Sequence, residues 1–167
     1  MSIGNGHAQP SSFDAKFRQA MRFMYQGRVQ NAIFLLEPLH QHDPDHLEVL
    51  KNLGAAYIIR QRYNEARVLL ERAVGIEANN SDLWINLAAA RLGKLEKSTR
   101  EQQDLAIEAY KKALNVNPEA ANVHYMLGLV YRQREEYLPA IAHFSIALDQ
   151  DPNDKDARNM LADLGFS

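Results

Sequence analysis

The chain has 167 residues, a net charge of −2 and ordinary globular composition, enough length for one domain or a short array. So balanced a charge disfavours nucleic acid or anionic lipid as the main ligand, since both select a basic surface. Cysteine is absent, which excludes disulfides and thiolate metal sites, and no stretch is long and apolar enough to span a membrane.

Residues 1–12, MSIGNGHAQPSS, carry no apolar run and no basic n-region; they read as a flexible tail rather than a secretory signal, and a cytoplasmic location is expected. From residue 13 onward three columns repeat. A small residue stands at Ala20, Gly54, Ala88 and Gly128, an alanine at Ala32, Ala66, Ala106 and Ala140, and a unit end at Pro44, Ala78, Pro118 and Pro152. Each column steps by 34, with one step of 40 that a single six-residue insertion explains. A shared period of this length means stacked copies of one supersecondary unit. The units are 13–46, 47–80, 81–120 and 121–154, followed by a capping helix over 155–165.

In the first unit the helix FDAKFRQAMRFMYQ has a wide apolar face, because Phe13, Phe17, Met21 and Met24 cannot all be buried by one neighbour. Two outcomes are open: a homo-oligomer formed through this helix, or coverage by residues 1–12. Pro38 falls inside the second helix and predicts a kink there. The turn HQHDPDH gathers His40, His42, Asp43, Asp45 and His46, yet it offers no complete ligand set and reads as a repeat junction rather than a metal site.

The second unit places Leu50, Leu53, Gly54 and Tyr57 on one helix face, then Tyr63, Ala66, Leu70 and Ala73 on another. Gly54 and Ala66 allow two helix backbones to approach closely, and bulky neighbours fill the space beside them. The third unit carries Trp84 and the insertion, within GKLEKSTREQQD (93–104). Ser98 with Glu101 is a capping-box signature, so the second helix is predicted to start early, near Thr99, and to project beyond its neighbours; Glu108 and Lys112 support it at i,i+4. In the fourth unit Leu127, Gly128 and Tyr131 are followed by Tyr137, Ala140, Phe144 and Ala147, with Pro139 tolerated in the first helical turn. Asp149, Asp151, Asn153, Asp154 and Asp156 lack the glycine and glutamate of a calcium loop and read as another junction. Leu161 and Leu164 suit an end cap, with charges facing water.

The order apolar-x-x-Leu-Gly-x-x-Tyr, then Ala, aromatic, Ala and Pro resembles the tetratricopeptide repeat. The likeness is strongest in units two and four; unit one is looser, and unit three has Arg91 where the tyrosine belongs. The resemblance implies an all-α fold, a right-handed superhelix (α-solenoid) of four helix-turn-helix repeats, with a concave groove lined by the first helices. Carried over by position, the groove side chains are Phe17, Arg18 and Met21; Lys51, Asn52 and Ala55; Ile85, Asn86 and Ala89; and Asn122, Tyr125, Met126 and Leu129. Asp14, Glu48 and Asp82 open the rows of the first three units. Asn52 and Asn86 occupy the same position of adjacent repeats, where an amide can pair with a peptide backbone.

The clamp with which some relatives hold a chaperone's C-terminal carboxylate is absent in either register. No phosphate-cradling loop, nucleophile elbow or zinc-protease helix occurs, so no enzyme activity and no cofactor are expected. The resemblance therefore implies an adaptor or scaffold that binds a partner protein or peptide in the groove, without nucleic acid or direct membrane insertion. The alternative is a dedicated chaperone for a hydrophobic client, similar to the small tetratricopeptide chaperones of type III secretion.

Overall fold

The computed structural model describes residues 12–166. The tail expected over 1–12 lies outside the described residues except for Ser12, which opens the first helix. In chain order the helices are α1 (Ser12–Tyr25), α2 (Val29–His42), α3 (Leu47–Ile59), α4 (Tyr63–Ile76), α5 (Ser81–Leu92), α6 (Arg100–Val116), α7 (Val123–Gln133), α8 (Tyr137–Gln150) and α9 (Lys155–Asp163), with no strand among the described residues. α1–α2, α3–α4, α5–α6 and α7–α8 pair as hairpins, each hairpin packs on the next, and α9 packs on α8. This is the α-solenoid that the 34-residue period predicts, made of four hairpins and a terminal helix.

Each column has a physical job. The four alanines Ala32, Ala66, Ala106 and Ala140 are completely buried. Gly54 lies so close to the facing helix that a Cβ there would stand 2.8 Å from Leu70 Cγ, and one on Gly128 would stand 2.6 Å from Phe144 Cδ1. The second helices stop at His42, Ile76, Val116 and Gln150, and the next residues (Asp43, Glu77, Asn117 and Asp151) leave helical geometry just before the Pro/Ala column. α2 continues through Pro38 for four residues to His42.

A fourth column emerges in three dimensions. Gly27, Gln61 and Glu135 all have φ near +60° and occupy the same place in the hairpin turn. In each case the next amide reaches back to the helix: Arg28 to Phe23 O, Arg62 to Tyr57 O and Glu136 to Tyr131 O, at 2.8–2.9 Å. These left-handed C-caps satisfy orphan carbonyls, but two of them lack the glycine that enters this region without steric cost.

The insertion is shared between a loop and a longer helix. α6 has 17 residues against 14 in α2, α4 and α8, and a short 3-10 turn (Leu95–Lys97) takes up the remainder. The early start near Thr99 is as expected, but the cap is displaced by one residue. Thr99 accepts from Gln102 N, and the Gln102 side chain accepts from Thr99 N, closing the box. The Ser98 hydroxyl instead donates to Leu95 O at 2.7 Å within the 3-10 turn and accepts from Gln103 Nε2 at 3.0 Å, so both of its roles are engaged away from the helix start.

Two substitutions test these backbone constraints. Gly128→Ala is expected to lower stability by about 1–3 kcal/mol, because Phe144 is fully buried and cannot swing away from the new methyl group. Glu135→Gly is expected to raise it by up to about 1 kcal/mol by relieving a left-handed non-glycine residue. Urea denaturation midpoints at constant m-value would measure both.

Candidate functional site

Of the first helices α1, α3, α5 and α7, α3 and α5 are in direct contact. Their expected groove positions are neither sealed nor fully open. Phe17, Met21, Lys51, Asn52, Ala55, Ile85, Asn86, Ala89, Tyr125, Met126 and Leu129 are all half-buried, whereas Arg18 and Asn122 are exposed. The apolar members pack partly on the core, Phe17 and Met21 at the N-terminal end, Ile85 and Met126 in the middle, and Tyr125 and Leu129 at the C-terminal end.

The polar members differ from one another. Asn52 donates its amide to Glu48 O, one turn back in its own helix, at 2.7 Å. That bond occupies one of its donors and draws the side chain along α3. Asn86, at the same place in α5, has no hydrogen-bond partner among the described residues. Asn122 is not on a helix: it precedes α7 as a left-handed residue with φ +62°. Lys51 pairs with Glu48 at 3.4 Å.

The two ends of the row are opposite in charge. On α1, Phe17, Met21 and Tyr25 stand four residues apart and, with Arg18, Arg22 and Gln26, line an open trough of about 410 Å3. Tyr25 is 97% exposed, the largest exposure of any large apolar side chain described. At the far end Glu119, Asp151 and Asp154 border a pocket of about 260 Å3 that also contains Asn122, Tyr125 and Gln150. Burial, reinforced by Asp156 and Asp154, raises the Tyr125 hydroxyl above its ordinary pKa. Reading the helix from its apolar spacing missed Tyr25, Arg22 and Gln26; the i,i+4,i+8 spacing from Phe17 was the available signal.

The junctions use their charged residues structurally. His46 caps α3 by accepting from Val49 N, Phe13 lies 4.9 Å from the His46 ring, and Asp45 pairs with Arg72. Asp154 caps α9 by accepting from Asp156 N and Ala157 N, each at 2.9 Å. Arg91, where a tyrosine was expected, donates to Leu105 O at 3.2 Å and lies 3.7 Å from Glu71, joining α5 to α6 and α4. Tyr57, which does follow the pattern, donates to Glu37 at 2.8 Å; burial first and then this carboxylate push its hydroxyl up to about 12.

A histidine pair links α7 to α8. His124 Nδ1 and His143 Nδ1 are 2.9 Å apart, so one neutral ring must donate to the other, and Tyr131 stacks on His143 at 5.5 Å. Burial, then His124 and then Lys111 on α6, push His143 down to about 4; burial lowers His124 against the opposing pull of Glu119.

Comparison with known proteins agrees with the repeat fold. Family profiles described as "Tetratricopeptide repeat" and "TPR repeat" match residues 23–91 and 99–133. The chain is 34% identical over 105 residues to BBSome complex member BBS4 of Bos taurus, covering 63% of this chain and 19% of that protein. It is 29% identical over 119 residues to Cell division cycle protein 27 homolog A of Arabidopsis thaliana, covering 70% of this chain and 16% of that protein. The chain thus spans less than a fifth of either relative's length. In fold it resembles MamA (residues 41 to the end) from Desulfovibrio magneticus RS-1, with a TM-score of 0.77 at 21% identity over 87% of this chain and 78% of that one.

The histidine pair makes a pH prediction. A histidine with a depressed folded pKa leaves the unfolded chain to bind the proton first, so the contribution of His143 to stability falls as pH drops from about 6.5 towards 4 and is constant below. Denaturation midpoints between pH 7 and pH 4 should therefore decline more steeply for the parent than for His143→Gln; parallel profiles would contradict the assignment.

Proposed function

Because this chain belongs to the tetratricopeptide repeat family, we propose that it is a protein-interaction scaffold that holds a segment of a partner along the inner face of its first helices. Binding itself is the activity, with no catalytic step. The observation that carries this reading is the row of half-buried apolar side chains (Ile85, Met126, Tyr125 and Leu129) on α5 and α7, at the positions where relatives of this family face the groove. They are packed enough to be held in place and open enough to accept further apolar contact.

Magnitudes assign the roles. Burying one partner leucine or phenylalanine contributes about 1.5–3 kcal/mol, whereas a net neutral hydrogen bond contributes about 1 kcal/mol. Micromolar affinity needs about 8 kcal/mol after the cost of association, so several apolar anchors must dominate. The amide of Asn86 then fixes register rather than affinity, and Asn52, already bonded to Glu48, contributes less than Asn86.

Affinity capture from the native host, read by quantitative mass spectrometry, tests the groove. Parent and Asn86→Ala/Met126→Asp protein, both confirmed helical by circular dichroism, serve as baits. Proteins recovered with the parent are expected to fall about tenfold or more with the double variant, while Asn52→Ala alone changes recovery little. Equal recovery by parent and double variant would place binding elsewhere on the molecule.

A further inference from the structure

We propose that the trough on α1 receives an acidic amphipathic segment of a partner protein, whose apolar side chains lie against Phe17, Met21 and Tyr25 while its carboxylates meet Arg18 and Arg22. This deepens the groove reading and rests on it, naming the chemistry that the N-terminal end of the row accepts.

Three observations combine. First, the trough is apolar at its floor and cationic at its rim, with Phe17, Met21 and Tyr25 on successive turns of α1 and Arg18 and Arg22 beside them. Second, those two guanidinium groups have no carboxylate partner among the described residues, whereas Arg62, Arg67, Arg72 and Arg134 each meet one. Arg28, Arg60 and Arg158 likewise meet no carboxylate, but Arg18 and Arg22 are the unpaired guanidinium groups that line the trough. Third, the region is basic as a whole, since Lys16, Arg18, Arg22 and Arg28 face only Asp14 over residues 12–28. An apolar floor with unpaired arginines at its edge selects a ligand that is apolar and negative at once, because aspartate or glutamate beside the anchors satisfies both.

The chain does not supply that complement itself. Residues 1–11 contain no aspartate or glutamate, so they bring no carboxylate to Arg18 or Arg22. The acidic pocket bordered by Glu119, Asp151 and Asp154 is a recess, not a ridge that could enter a trough, so it is not the complement a second copy would present.

Selection from a displayed random 16-residue peptide library on the full chain tests the proposal. Enriched peptides are expected to carry net negative charge with apolar residues at helical or alternating spacing. Their affinity should fall about tenfold or more for Arg18→Glu/Arg22→Glu and for Tyr25→Ser, and should weaken with added salt. All of the altered side chains lie on the surface of α1, and circular dichroism would verify that the variants stay folded. Neutral or basic enriched peptides, or acidic ones that bind the charge-reversed variant undiminished, would overturn the inference. If those same peptides lose binding to Asn86→Ala/Met126→Asp, the groove reading survives that outcome. Enrichment of no peptide would instead count against the groove reading itself. Sedimentation showing a dimer of the parent that Arg18→Glu/Arg22→Glu dissolves would also overturn the inference, by assigning the trough to a second copy.

Discussion

The structure depends on how closely two helix backbones approach within each hairpin. At Gly54 and Gly128 there is no room for even one methyl group, because Leu70 and Phe144 lie directly against the glycine. Leu70 and Phe144 are completely buried in the stack, and so are the column alanines, so the close approach within each hairpin is locked into the interior. What remains on the outer edges of the first helices is then available for stacking or for a ligand. The fold and the row of groove positions are thus two consequences of one steric constraint.

Much of this was legible in residue spacing, because the constraint acts on residue size and size recurs with the period. The insertion was legible for the same reason: one displaced column would have been ambiguous, but several shifting together could only mean added residues in one hairpin. What spacing could not reveal was competition for a single polar group. Ser98 and Thr99 both suit an N-cap, but Ser98 donates to Leu95 O and accepts from Gln103, while Thr99 accepts from Gln102 N. Asn52 and Asn86 look equivalent by position, yet one is drawn into its own helix and the other is not. The unpaired state of Arg18 and Arg22 was hidden likewise, since it depends on where every carboxylate in the neighbourhood has gone.

The insertion shows how an added turn is used. Extending α6 brings Arg100 within 2.8 Å of Glu136, which also accepts from Arg134 at 2.8 Å, while Arg134 reaches Asp104 at 2.7 Å. These contacts join the start of α6 to the turn between α7 and α8. The Arg134 side chain is only 10% exposed, so its two carboxylates do more than decorate the surface: removing them would leave a buried charge unpaired. The extra residues therefore fasten the third hairpin to the fourth at the edge where the third lacks its usual tyrosine.

The buried interior is not one continuous body. It forms three groups in succession; the first two share Trp84, the last two share Tyr131, and the final group has only Ala140, Phe144 and Leu161 fully inside. Groups of decreasing size along the array give graded cohesion, and the smallest lies at the carboxyl end. Amide protons in α8 and α9 would then exchange with solvent through partial opening, long before those of α3 and α4, which await disruption of the whole array. Such an arrangement lets the terminal hairpin fray and re-form on a rigid amino-terminal platform, so that one end can adapt its shape while the other keeps its own.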